Sequence, residues 1–187
     1  SVGAYPAAYA LFLDRGAWKA RVLSLLPYAM IVLVWRTCYS AMGYGVRGAE
    51  VYVDPLADPW RFFLTVLDHA PILLFSQWGV PVADPYVFLP PAVAWVVWGA
   101  ALVFVAWFFA VAMPCVWRLP SARFWIVGSL LAVVPACAVF PMERQLLFVG
   151  VGGAALVAQY LVAWRNRAPD ALWPRTGRAL YITLIAL

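Results

Sequence analysis

Between Gly43 and Asp84 stand Arg47, Glu50, Asp54, Asp58, Asp68 and His69, a density of ionisable side chains that recurs nowhere else along the chain. Carboxylates so grouped have the chemistry of a general base or of divalent-metal ligands, and an arginine beside them can hold a phosphate by a bidentate contact. The same residues also have a structural explanation. Asp54-Pro55 and Asp58-Pro59 read as turn and helix-cap signals, with Asp58 capping a helix that begins near Trp60. His69 is the single histidine. It adjoins Asp68, but immediate neighbours on a helix do not face one another, and one imidazole makes no metal site. It reads as an interfacial polar group before a catalyst.

Gly43, Gly45 and Gly48 match G-x-G-x-x-G literally, yet that motif holds a dinucleotide only between a strand and a helix N-terminus. Here an apolar span precedes it, so the glycines are turn residues, and the sequence names no cofactor. Two further arginines are candidates for contact with a lipid phosphate or substrate. Arg36 lies near the outer end of an apolar run, from which its side chain can snorkel or reach the outer loop, and Arg144 lies with Glu143 in a tight turn. Gly150, Ala154 and Ala158 place small residues at every fourth position of another run, a stripe that admits a second helix closely. Gln159 on the same run reads as an interhelical hydrogen-bonding group. Cys38 and Cys137 fall near one membrane face, where a disulfide would need a close Cα approach that sequence does not show.

These residues must be positioned by apolar helices. Hydrophobic residues make up 66% of the 187 and charged ones 11%, against about 45–50% and about 25% in soluble domains. No water-soluble core hides that much apolar surface. The predicted fold is all-α: a polytopic membrane helix bundle with four to five spans in a single transmembrane domain over 1–187. The spans cover about 22–40, 87–113, 124–140 and 146–164, with a truncated one at 179–187. The chain opens on Ser1 and stops within an apolar run, so it is read as a piece of a longer protein whose remaining helices are its partners along with the lipid bilayer.

Residues 60–79 are apolar but carry Asp68, His69 and Pro71 at their middle, the most expensive depth for a lone span. Two short interfacial or re-entrant helices, Trp60 to His69 and Pro71 to Trp78, are therefore expected within an outer loop 43–86. The basic residues decide the topology. If 60–79 does not cross, nine of the thirteen (Arg15, Lys19, Arg21, Arg118, Arg123, Arg165, Arg167, Arg175 and Arg178) lie on the cytoplasmic side, as the positive-inside bias requires. The net charge of +5 is thus topogenic and does not point to nucleic acid.

The order YALFLDRG, a basic turn, RVLSLLPYAMIVLVWR and an outer loop GYGVRGAEVYVDPLADP resembles the later transmembrane part of bacterial membrane proteins related to GT-C glycosyltransferases. The resemblance covers the first half of the chain. It implies a helical membrane fold and a polyprenyl-phosphate sugar as a lipid-linked donor. In that family the catalytic acid sits in a first outer loop that this chain lacks, so no family catalytic residue maps onto these positions. A transporter or flippase domain and a structural subunit without chemistry are the competing readings.

Overall fold

Three of the helices begin where a proline can start them. Pro59, Pro91 and Pro120 occupy the first turns of their helices, where a missing N–H would have had no partner. In the computed structural model, which describes residues 3–43, 52–165 and 182, the elements are α1 (Ala4–Phe12), α2 (Trp18–Ala41), α3 (Pro59–Trp78), α4 (Ala83–Tyr86), α5 (Pro91–Val116), α6 (Pro120–Ala136), a 3-10 turn (Glu143–Leu146) and α7 (Leu147–Arg165). Every regular element among the described residues is helical, as expected. Arg47, Glu50 and, apart from Ile182, the expected span 179–187 lie outside the described residues.

Among the described residues three helices are long and apolar enough to cross a membrane: Trp18–Ala41, Pro91–Pro114 and Glu143–Arg165, with mean hydropathies of 1.5, 2.3 and 2.0. At 1.5 Å per residue a 24-residue helix reaches about 36 Å, more than the ~30 Å hydrocarbon layer. The 17-residue α6 reaches about 25 Å. Its expected extension to Phe140 is corrected, because Pro135 is followed within two residues by the cap at Cys137 and ends the helix where a kink was expected. Gly43 closes α2 with φ 72°, the left-handed conformation that favours glycine after a helix.

At the centre, α6 and α7 run antiparallel and touch through small residues. A Cβ built on Gly152 would lie 2.0 Å from Ser129 Oγ and 2.9 Å from the Trp125 carbonyl oxygen. Helix α1 lies across this pair. The Tyr5 ring covers Gly128, and its hydroxyl donates to the Phe148 carbonyl while accepting from the Gly152 amide at 3.0 Å. Those two backbone groups are one α-helical turn apart, so a side chain from α1 bridges a rung of the α7 ladder. The buried face of α7 is Val149, Gly152, Gly153, Leu156 and Tyr160. The expected stripe is therefore corrected in part: Ala154 and Ala158 are exposed, whereas Gly150 faces Gln77 of α3.

The expectation of two short helices over 60–79 is also corrected: α3 is one continuous helix through Pro71. Proline at 71 cannot donate to the carbonyl of residue 67. That oxygen instead accepts the indole N–H of Trp98 on α5, at 3.2 Å. With the exposed carbonyl satisfied from outside, the helix has no reason to break. Residues Leu67 and Trp98, Phe75 and Phe104, and Trp78 and Phe108 lie level with one another, so α3 and α5 run the same way. The segment between them must return along α3, and it does: the amides of Val82 and Ala83 both bond Ser76 Oγ, and the Tyr86 hydroxyl reaches Asp68. Buried Ile72, Leu73, Leu74 and Trp78 seat the second half of α3 in the core. By contrast, α2 buries no residue; apolar surface of that extent is compatible with lipid and not with water.

Candidate functional site

Among the described helices α2 packs chiefly on α1, and a short helix cannot cover a long one. What remains is an open-sided groove of about 570 Å³, walled by Ala7 of α1 and Leu25, Ala29 and Val32 of α2, and closed at one end by Arg36, Pro55 and Leu56. This size falls within the ~300–1,000 Å³ of small-molecule sites. The walls are apolar, and one cation stands at the end.

That cation is not free. Arg36 Nη2 donates to Asp54 Oδ2 at 2.6 Å, with side-chain exposures of 36% and 29%, so the pair sits where water still reaches it. The other Asp54 oxygen accepts the Leu56 amide at 3.0 Å, making a side-chain turn around Pro55. The Leu56 amide first, and the Arg36 guanidinium after it, hold the Asp54 carboxyl below its ordinary range against the opposing effect of burial. Asp54 thus acts both as turn former and as ion-pair partner. Asp58 does what its position before Pro59 suggests: its carboxylate accepts the Arg61 amide at 2.9 Å and caps α3.

The segment carrying Asp54 is tied to the bundle by the Val53 amide, which donates to the Ala138 carbonyl at 2.9 Å. One residue earlier, the Cys137 carbonyl receives His69 Nδ1 at 3.2 Å. The end of α6 therefore anchors both the groove's closing segment and α3. His69 is close to Asp68 after all, Nε2 to Oδ2 being 3.6 Å, which corrects the expectation that adjacent helical side chains stay apart. The contact is within electrostatic reach but too long for a hydrogen bond. Tyr86 donates to the other Asp68 oxygen at 3.1 Å. Burial, reinforced by the Asp68 carboxylate, pushes the Tyr86 phenol up to about 12.

Of the residues singled out in the sequence, the structure brings together Arg36 with Asp54 and Asp68 with His69. It does not merge the two pairs, since neither Asp68 nor His69 lines the groove. Arg144 stands exposed on the 3-10 turn, with no ion pair among the described residues, and lines no part of the groove. Cys38 and Cys137 are both free thiols, exposed and buried respectively. No group of His, Cys, Asp and Glu among the described residues has the arrangement of a metal site. Tyr5, Tyr86 and Trp98 were missed because each works through a partner at least 18 residues away, and an aromatic residue in an apolar run carries no mark of its later partner. No protein-family model matches the chain, and no curated protein and no solved structure proved similar to it.

Proposed function

We propose that this chain is the membrane-embedded part of a multi-pass protein of the bacterial inner membrane, with four to five spans and residues 43–86 facing outside. In this reading the α1–α2 groove receives the chain of a lipid-linked substrate whose phosphate meets Arg36. The observation that carries it is the joining of an apolar, open-sided groove to a single guanidinium at its end. An open side suits an amphiphile entering laterally from a bilayer; a water-soluble substrate would gain nothing from the apolar walls. Together with the resemblance to GT-C glycosyltransferases, this favours a polyprenyl-phosphate sugar as donor, with Arg47 a second candidate contact. A transporter or flippase is the alternative, supported by α3, a proline-containing helix whose second half packs among the others. The near absence of ionisable groups within the long helices weighs against it.

Asp54 competes with a phosphate for Arg36, which sets the sign of the test. A polyprenyl monophosphate should bind the purified chain in nanodiscs at least about tenfold more tightly than the corresponding polyprenol, the factor that about 1.4 kcal/mol of charge-assisted contact supplies. Arg36→Ala should abolish the difference, and Asp54→Asn should increase it. Equal binding of alcohol and phosphate, or indifference to Arg36→Ala, would remove the basis for this reading.

A further inference from the structure

Charge divides between the two ends of the bundle. The Arg36–Asp54 pair lies where the Val53 amide bonds the Ala138 carbonyl, just past the end of α6, so α2 and α6 finish at one end and start together at the other. Helix α7, antiparallel to α6, finishes at that second end. Of the described ionisable residues, Arg15, Lys19, Arg21, Arg118, Arg123 and Arg165 gather there with a single carboxylate, Asp14, one of whose oxygens is taken up by the Gly16 amide at 2.8 Å. Asp54, Asp58, Asp68, Asp84 and Glu143 stand at the opposite end.

Within the basic end, the turn between α5 and α6 carries a guanidinium held in place. The span Pro91–Pro114 finishes three residues before Trp117, which sets the turn where hydrocarbon gives way to headgroups. Exposed Trp117 and Leu119 suit that depth. From the first turn of α6, Arg123 folds back: its Nε donates to the Trp117 carbonyl at 2.7 Å, and its Cζ stands 5.6 Å from the centre of the Trp117 ring. Its Nε–H is thus spent on the backbone and its face on the indole, while the Nη hydrogens keep the fork geometry that fits a phosphate. Arg118, beside the ring in sequence, is exposed. Neither arginine forms an ion pair among the described residues. Toward the membrane interior, Trp117 continues into Met113 and Pro114, and the three line an open apolar depression.

We infer from this arrangement that the α5–α6 turn is a binding site for an anionic phospholipid of the surrounding bilayer, with the phosphate at Arg118 and Arg123 and an acyl chain against Met113 and Pro114. Charge complementarity selects the occupant. A zwitterionic headgroup brings a cation of its own to a place that already holds two, whereas an anionic one brings net negative charge. The apolar depression selects a lipid over free phosphate, and an acidic protein segment would have to carry its charges to the level of the hydrocarbon. Arg123 is also preordered, so binding costs it less rotamer freedom than it would cost a loose surface arginine. Arg21 makes the instructive comparison: its Nε donates to the Gly16 carbonyl at 2.7 Å, but it has no cation–π partner among the described residues.

The site lies at the opposite end from Arg36 and is independent of the groove. To test it, the full chain in detergent micelles is titrated with phosphatidylglycerol and with phosphatidylcholine of the same acyl chains, and bound lipids are counted by native mass spectrometry. The first phosphatidylglycerol should bind at least about tenfold more tightly than the first phosphatidylcholine, since each arginine near an anionic headgroup contributes roughly fivefold. Arg118→Gln and Arg123→Gln should each cut that preference about fivefold, and Trp117→Leu should lower it by releasing Arg123. Arg36→Ala should leave it intact, and Arg21→Gln, which removes the same charge from the same end, should keep it within about twofold of wild type. Equal binding of the two lipids, or equal losses in Arg21→Gln and Arg123→Gln, would mean diffuse surface charge and overturn the site. Loss of the preference in Arg36→Ala would move the lipid to the groove and overturn it as well. If Arg123→Gln does not fold, Arg118→Gln decides alone, because its side chain is exposed: an unchanged preference there rejects the site.

Discussion

Replacing Gly152 with alanine should pry apart the junction of α1, α6 and α7. The new Cβ would stand 2.0 Å from Ser129 Oγ, 2.7 Å from the Tyr5 hydroxyl and 2.9 Å from the Trp125 carbonyl oxygen. Ser129 can rotate, and Tyr5 can withdraw by giving up its bridge. The Trp125 oxygen belongs to the α6 backbone and moves only with the helix. Restoring an ordinary 3.4 Å contact means separating α6 from α7 by about 0.5 Å, the difference between 3.4 and 2.9 Å, and such a gap forfeits about a quarter of the dispersion well for every facing atom pair. Overpacking of this kind costs about 1–3 kcal/mol. Removing a helical glycine works the other way by about 1 kcal/mol.

Gly99 separates the two effects, because nothing lies within 4 Å of the Cβ it would gain. Gly99→Ala should leave stability unchanged or raise it by up to about 1 kcal/mol, and Gly152→Ala should fall about 1–3 kcal/mol below it. Reversible unfolding in mixed micelles, followed by far-UV circular dichroism against the mole fraction of dodecyl sulfate, measures both. Shifts of equal size and sign in the two variants would refute the close packing at Gly152.

Further outcomes follow from the same contacts. Trp98→Phe should cost about 1 kcal/mol by leaving the Leu67 carbonyl without a donor, and much less in a Pro71→Ala background, where the restored amide takes that oxygen; a double-mutant cycle with no coupling would show that Trp98 does not sustain α3 across Pro71. Since the folded-state value of Asp54 is depressed, its contribution is complete above the ordinary 3.8 and is lost as pH falls through the lower folded value. Acid unfolding below about pH 4 should therefore flatten in Asp54→Asn, and an unchanged acid limb would contradict the Arg36–Asp54 pair. Cysteines placed at Asp54 and Arg175, in a chain whose three native cysteines are replaced, should react with an impermeant maleimide from opposite sides of the membrane. Labelling of both from one side would overturn the proposed topology.

Local signals in the sequence account for much of this protein. Apolar runs longer than a bilayer is thick announce α2, α5 and α7, because burying ionised groups in hydrocarbon is so costly that loops and spans separate in composition. Prolines at first turns, Asp58 as a cap and Gly43 as a stop are also local, each acting within a few residues of itself. Arg36 was legible as a residue near an outer loop, though not as the partner of Asp54.

Only the tertiary structure decided the rest, since those features depend on contacts between distant residues. Pro71 marks a break by every local rule; whether α3 breaks depends on Trp98, 31 residues beyond Leu67. Small residues line several faces of α7, and a period of 3.6 does not say which will be used; Tyr5, 147 residues from Gly152, selects the Gly152 face. The hydrogen-bond partner of His69 is a carbonyl at the end of α6, 68 residues later. Composition and spacing thus determine which segments leave water and where they start and stop, because those free energies are set residue by residue. Which backbone groups are left for another helix to satisfy, and which helix does so, is settled only when the helices pack.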